Sequence, residues 1–281
     1  MGHHYVPARY LAGFTRDDRL WGFHKAAGRP FKTKPDSIAN ERQLYSEELE
    51  NLLNNDIEQP ANVVLEKISL RQRLDAGDQE ALARYMVIML KRVPAARARV
   101  LEMTPGVADE VTDELIRDLH SLKGRAAISD AKYSAMLAEA ARVRETLKVD
   151  RSSATWWGTL APKESDRVAD GMLKMNWALV TDPTGQVLTC DNPVYFFPWA
   201  GISRPESELI FPIDQHTVLL GTHELFPTCS YIEGKAVALR EMNRRTIGNA
   251  DRHIFAADSF GWVMKAIKNG GGPRLRLRVN G

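Results

Sequence analysis

The chain has little of what marks several common protein classes. It has only two cysteines, Cys190 and Cys229, among 281 residues, which excludes a disulfide framework or a zinc site with paired cysteines. We expect reduced thiols in a cytoplasmic protein. The N-terminus is polar and aromatic from residue 3, so no signal peptide is expected. The longest apolar runs, such as residues 85–90, are too short to span a membrane.

Charge of either sign is not in excess. The sequence has 38 basic and 36 acidic residues and a formal net charge of +2, so a nucleic-acid partner would need a local basic patch. The most basic segment is PRLRLR at 273–278. Its alternation predicts a half-exposed edge strand, and a contact with a polyanion is the alternative.

Periodicity predicts an α+β fold with a predominantly helical middle. Strand patterns occur at 20–24, 31–34, 177–181, 187–190, 209–213, 218–221 and 252–256. Helical patterns fill most of 60–148, with a break at Pro105-Gly106, and return at 238–252. We expect a mixed or antiparallel sheet built from N-terminal and C-terminal strands. The whole chain, 1–281, is predicted to be one α+β domain. The alternative is a subdivision into a mostly helical 1–150 and a mostly β 151–281.

Three separated stretches resemble a known family. They are HHYVP at 3–7, KRVP at 91–94, and LTCDNPVYF at 188–196 followed by IFPID at 210–214. Their order is similar to that of bacterial domain-of-unknown-function family 4238 over nearly the whole chain. Cys190 stands where the resemblance implies a serine. The family name implies no activity, so chemistry has to come from the residues.

The N-terminal motif carries the first candidate site residues. His3 and His4 can act as general bases or metal ligands. On an extended strand they point to opposite sides, so one of them would face a given pocket. The alternative is a packed polar histidine beside an exposed one. Tyr5 follows as a candidate substrate contact.

Other candidates lie far along the chain. Asp191 and Asn192 come directly after an apolar strand, where a catalytic or metal-binding carboxylate is well held, although an Asx-turn explains the same pattern. Glu41 is a candidate second carboxylate. Arg42 and Arg92 are candidate phosphate contacts. The structural alternative pairs Arg92 with Asp191 or Glu41 in a buried ion pair.

Three functions remain open from these residues. The first is a metal-dependent phosphodiester hydrolase, nuclease-like, in which His4 and Asp191 bind Mg²⁺ or Mn²⁺. The second is a non-catalytic binding or interaction protein of a bacterial conflict system, in which the same residues form a structural polar network. The third is a metal-free ribonuclease that uses a histidine pair and an arginine. No Walker loop, GxGxxG, GxSxG or CxxC motif occurs, which disfavours the functions that these motifs serve.

Overall fold

A computed structural model describes residues 2–26, 28–42, 44, 46–125, 127–149, 153–160, 166–196 and 201–278. The predicted α+β fold is confirmed. The helices of these residues are α1 (Ala8–Ala12), α2 (Glu47–Leu53), α3 (Gln59–Ser69), α4 (Ala76–Lys91), α5 (Pro94–Gly124), α6 (Asp130–Val149), α7 (Ser153–Leu160), α8 (Arg167–Leu173), α9 (Ala236–Asn249) and α10 (Gly261–Lys268). The strands are β1 (Gly2–His4), β2 (Leu20–His24), β3 (Pro30–Thr33), β4 (Asn40–Arg42), β5 (Asn176–Thr181), β6 (Thr189–Cys190), β7 (Tyr195–Phe196), β8 (Glu208–Asp214), β9 (Thr217–Thr222), β10 (Ser230–Glu233) and β11 (His253–Ala256).

The chain divides into two compact units, and the first is formed by Met1–Val93 together with Leu160–Gly281. Its larger sheet has the order β10-β5-β9-β8-β7, in which only β10 and β5 are parallel. A second sheet has the order β3-β2-β11-β6 and is antiparallel. The predicted joining of N-terminal and C-terminal strands is therefore confirmed, because β2 pairs with β11.

The N-terminal motif is anchored through the short helix that follows it. Tyr10 of α1 is only 1% exposed and stacks on Phe211 of β8, with ring centroids 5.3 Å apart. Its hydroxyl donates to the Pro212 carbonyl at 2.7 Å and lies 2.7 Å from the Thr189 hydroxyl. Because one residue contacts both sheets, the first helix is fixed against the core.

Helix starts follow local chemistry. Ser46 caps α2, accepting from the Leu49 N–H at 3.2 Å. The N-cap of α4 is Asp75, while Asp78 completes a reciprocal capping box from the third helical position. Asp78 also accepts from Lys67 of α3 at 2.7 Å.

Two predicted strands are corrected by the tertiary pairing. The strand predicted at 187–190 directly follows β5 in the chain but does not pair with it, because β5 already has β9 and β10 on its two edges. Thr189–Cys190 therefore pairs with β11 instead. The predicted edge strand at 273–278 is absent from that described segment. Side chains, and not a neighbouring strand, form hydrogen bonds with the backbone of this segment. Glu208 accepts from the Leu277 N–H, and Arg245 donates to the Leu275 carbonyl.

The second unit comprises Pro94–Thr159. Helices α5 and α6 pack together there and bury Ala108, Thr112, Leu119 and Ala140. The predicted break at Pro105 is wrong, because α5 continues through it. An internal proline costs about 3 kcal/mol, and we attribute the continuity to the packing of α5 along α6. No helix in the described part of the chain is long and apolar enough to cross a membrane.

Candidate functional site

Strand pairing between β1 and β4 holds the first residues of the HHYVP motif. The register places His3 opposite Glu41 and His4 opposite Asn40. The chain then turns inward, and the Tyr5 N–H donates to the Ala39 carbonyl at 2.9 Å. Sequence alone did not predict β4, which is only three residues long. Two of the candidate residues, His3 and Glu41, are thus neighbours across one antiparallel pair.

Arg92 at the end of α4 binds the motif through its backbone. Its side chain is 1% exposed; Nε donates to the Tyr5 carbonyl at 2.9 Å, and Nη1 donates to Glu58 Oε1 at 2.6 Å. The predicted ion-pair partners were Asp191 and Glu41, so Glu58 is a correction. Glu58 ends a π-helical turn, Asn54–Glu58, that joins α2 to α3. Such turns redirect a side chain relative to the regular helix.

His4 lies beside this ion pair. Burial lowers the pKa of His4, and a hydrogen bond to the Ile38 backbone opposes that shift. Arg92 lowers the pKa of His4 further, whereas Glu58 raises it. The Nδ1 atom of His4 is buried and has no hydrogen-bond partner among the described residues. His4 is therefore a half-buried imidazole beside the Arg92–Glu58 pair, and its burial favours the neutral form.

Glu50 of α2 belongs to the same neighbourhood, and no sequence motif points to it. Burial raises the pKa of the Glu50 carboxyl, and His3 acts in the opposite direction. The helical spacing between Glu50 and Glu58 is the sequence feature that could have placed both carboxylates on one side. The same spacing is equally typical of a solvated helix face.

Asp191 fastens the end of β6 to the start of β11. The carboxylate is 2% exposed and accepts three backbone N–H bonds, from Asp251 at 2.8 Å, Arg252 at 2.7 Å and His253 at 2.9 Å. Burial raises the pKa of Asp191, and these three bonds oppose the shift. Both oxygens thus hold backbone that lies 60–62 residues further along the chain. These are not the bonds of a local Asx-turn, which was the alternative expected for this residue.

Asn192 connects the same strand end to α9 by hydrogen bonds. Its Nδ2 donates to the Asn249 carbonyl at 3.2 Å, and Asn249 Nδ2 in turn donates to the Asn192 carbonyl at 2.5 Å. The preceding thiol, Cys190, donates to the Asn192 carbonyl at 3.1 Å, and burial raises its pKa. The side-chain oxygen of Asn192 is buried without a partner among the described residues.

A histidine pair adjoins Asp191. His253 Nδ1 is 3.8 Å from Asp191 Oδ2, and the His253 and His24 rings meet edge to face with centroids 4.8 Å apart. Burial lowers the pKa of His253, and Asp191 opposes that shift. No sequence motif pairs these two histidines. The β2–β11 register, which sets His253 opposite His24, brings them together.

Tyr5 lies between the two groups. Burial, followed by the charge of Asp191, raises the pKa of the Tyr5 phenol to about 12. Glu41 and Arg252 also act on this phenol and lie 3.8 Å from each other. Glu41 and Asp191 therefore act together on Tyr5, whereas His4 acts with Arg92 and Glu58.

The other candidates are not drawn together into one reacting centre. Arg42 is exposed opposite Gly2 at the strand end. No set of three or more His, Cys, Asp or Glu side chains that could hold a metal ion occurs among the residues that the structure describes. The pair His4 and Asp191, predicted to bind Mg²⁺ or Mn²⁺, accordingly has no third convergent ligand within the described ranges.

Comparison with known proteins supplies a family and no activity. No curated protein and no solved structure matches the chain. One family model, described as a protein of unknown function (DUF4238), matches residues 2–260 and so includes both the HHYVP and the DNP stretches. The chain therefore belongs to the DUF4238 family.

Proposed function

We propose that this protein is a non-catalytic binding protein in which the HHYVP and DNP stretches form a structural polar network. The observation that carries the proposal is the engagement of Asp191, whose two oxygens accept three backbone N–H bonds. A carboxylate that acts as a base or metal ligand needs an oxygen directed at substrate or ion. Here both oxygens hold the polypeptide.

The buried arginine supports the same proposal. Arg92 is 1% exposed and binds the Tyr5 carbonyl and Glu58. A phosphate contact requires a guanidinium that a substrate can reach, and burial removes that access. The guanidinium donates to one backbone carbonyl and one carboxylate, so it holds the N-terminal segment and Glu58 against the end of α4. In this proposal Arg92 ties the N-terminal strand to the end of α4.

A second candidate, phosphodiester hydrolysis, has its own observation. His253 and His24 are adjacent, Asp191 lies beside His253, and Arg252 is half-exposed next to them. Two histidines can divide general-base and general-acid roles without a metal, with an arginine on the phosphate. The 3.8 Å separation between Asp191 and His253 exceeds a hydrogen bond. Catalytic contacts are often long in a free enzyme and shorten when substrate binds, so this separation is compatible with a catalytic pair.

Cleavage and stability assays separate the two functions. Labelled RNA and DNA are incubated with purified wild type in Mg²⁺, Mn²⁺ or EDTA, beside Asp191→Asn, His253→Gln and His24→Gln. His120→Gln, in the exposed face of α5, is the matched control. We expect no cleavage under any condition and a lower unfolding free energy for Asp191→Asn. Cleavage that is lost in His253→Gln and His24→Gln but kept in His120→Gln would refute the binding proposal and establish hydrolysis.

A further inference from the structure

A cavity lies within the first unit, away from the N-terminal motif. It is bounded by α9, α10 and the turn after β5, and its volume is about 540 Å³. That size suits a small-molecule ligand. The surfaces differ in chemistry: Leu239 and Ile247 are apolar, Trp262 is aromatic, and Arg240 and Arg274 are cationic.

The walls are held by specific contacts. Asn243 of α9 is 6% exposed, accepts from the Leu188 N–H at 2.9 Å and donates to the Gln186 carbonyl at 2.9 Å. The chain after α10 crosses α9 at Gly248, where a Cβ on Gly271 would lie 2.0 Å from the Gly248 nitrogen. Only glycines allow this approach of two backbones. The crossing carries the tail to the cavity, so Arg274 becomes part of its lining.

The charges leave two cations available to a ligand. Arg244 is engaged by Glu241 and the Gly272 carbonyl. Arg240 and Arg274 are exposed, and neither side chain forms an ion pair with any residue in the described part of the chain.

The carboxylates that line the cavity do not cancel these cations. Asp182 accepts from the Thr184 N–H and hydroxyl at 2.8 and 2.6 Å, and from the Gln186 N–H at 3.0 Å. Its oxygens are therefore committed to the turn. Glu233 is exposed at the end of β10 and is the remaining lining carboxylate. Two open guanidinium groups against one open carboxylate favour an anionic ligand that also carries hydrogen-bond donors.

The aromatic wall is fixed before any ligand arrives. Trp262 Nε1 donates to Gln186 Oε1 at 3.0 Å, and the indole stacks on Phe260 with an interplanar angle of 14°. The indole is still 36% exposed. An oriented, partly exposed indole offers a face on which a planar ring stacks.

We propose that this cavity binds a nucleotide. The ring stacks on Trp262, the phosphate is bound by Arg240 and Arg274, and Glu233 accepts from the sugar hydroxyls. The inference rests on the proposed function and names the ligand class of the binding protein. It uses no residue of the HHYVP or DNP stretches.

Isothermal titration of the full chain tests the proposal with adenosine 5′-monophosphate and uridine 5′-monophosphate. Adenosine and inorganic phosphate are titrated separately. We expect at least one nucleotide to bind with a Kd below about 1 mM. Adenosine and phosphate alone should each bind at least tenfold more weakly, since a charged hydrogen-bonding contact or a stacked ring is worth about tenfold or more.

Variants locate the binding. Arg240→Gln combined with Arg274→Gln, and separately Trp262→Leu, should each weaken the nucleotide at least tenfold. Arg29→Gln, an exposed arginine in the β2–β3 turn, should leave affinity unchanged. Circular dichroism and thermal unfolding confirm that each variant is folded.

Three results would overturn the nucleotide proposal: no heat with either nucleotide, equal affinity for phosphate alone, or binding unaffected by the cavity variants. Nucleotide binding together with cleavage lost in His253→Gln would refute the proposed function alone. Absence of both binding and cleavage would refute the cavity inference alone.

Discussion

Replacing Asp191 by asparagine tests the structural role of the DNP stretch. The two side chains have the same shape, but the amide has one acceptor oxygen where the carboxylate has two. Asp191 Oδ2 accepts from Arg252 and His253, and Oδ1 accepts from Asp251. The best amide orientation keeps the two-bond side and turns its NH₂ toward the Asp251 N–H, so one bond is lost and two donors face each other.

The expected cost follows from that geometry. Losing one hydrogen bond to a charged group costs about 1.5–3 kcal/mol, and leaving a buried donor unsatisfied costs about 1–3 kcal/mol. Burial opposes the charged form of Asp191 and raises its pKa, so we take the low ends of both ranges. Asp191→Asn should therefore lose about 2–3 kcal/mol of unfolding free energy.

Urea unfolding followed by fluorescence measures this loss, and a matched control is available. Asp258 forms an exposed ion pair with Arg16, whose side chain is 57% exposed. Asp258→Asn should cost less than about 1 kcal/mol. If Asp191→Asn lost no more stability than Asp258→Asn, the three backbone bonds would not be holding β6 to β11. The structural interpretation of the DNP stretch would then fail.

Three further predictions concern the buried groups. Glu58→Gln should cost about 1–3 kcal/mol in the same assay, because it weakens the charge-assisted hydrogen bond that Glu58 Oε1 accepts from the buried Arg92 guanidinium. Burial lowers the pKa of His4 and His253 below the ordinary value of 6.5. The unfolded chain then binds more protons, so stability should fall as pH decreases through 6.5, and thermal unfolding of His4→Gln and His253→Gln should show a shallower fall. Burial raises the pKa of the Cys190 thiol, so a thiol reagent should leave it unlabelled in the native protein.

Controls make each of these outcomes decisive. Glu66→Gln removes the exposed partner of Arg9, 4.0 Å away, and should leave the unfolding free energy nearly unchanged. If Glu58→Gln lost no more unfolding free energy than Glu66→Gln, the pair between Glu58 and Arg92 would not be stabilising. Unchanged pH profiles in both histidine variants would show that neither histidine is linked to folding. The labelling is run in Cys229→Ser, so native labelling there could come only from Cys190.

Elements with strong local patterns were predictable. The strands predicted at 209–213 and 218–221 both form, and as β8 and β9 they pair with each other. The alternation of apolar residues and the turn between them are local properties of the chain. The Pro105 break was wrong because proline chemistry is local, whereas the length of α5 depends on its partner helix. The strand β4 was missed because three residues carry too little pattern.

The candidate site residues divide in the same way, into those that the sequence identifies and contacts that depend on the tertiary structure. The sequence selected Tyr5, Arg92 and Asp191, and all three are buried in the first unit. It did not identify Glu58 as the partner of Arg92, because that contact depends on a π-helical turn. It did not pair His24 with His253, because an antiparallel register between distant strands joins them.

By itself the sequence determined the family, the α+β class and the stretches in which polar groups are buried, since these follow from motif order and local periodicity. Tertiary structure alone decided what those groups do. Asp191 accepts three backbone N–H bonds, and Glu58 pairs with Arg92. The close approach of Gly271 to Gly248 places Arg274 in the lining of the cavity that also contains Trp262. Each depends on segments far apart in the chain, whose meeting is set by packing and strand register rather than by neighbouring residues.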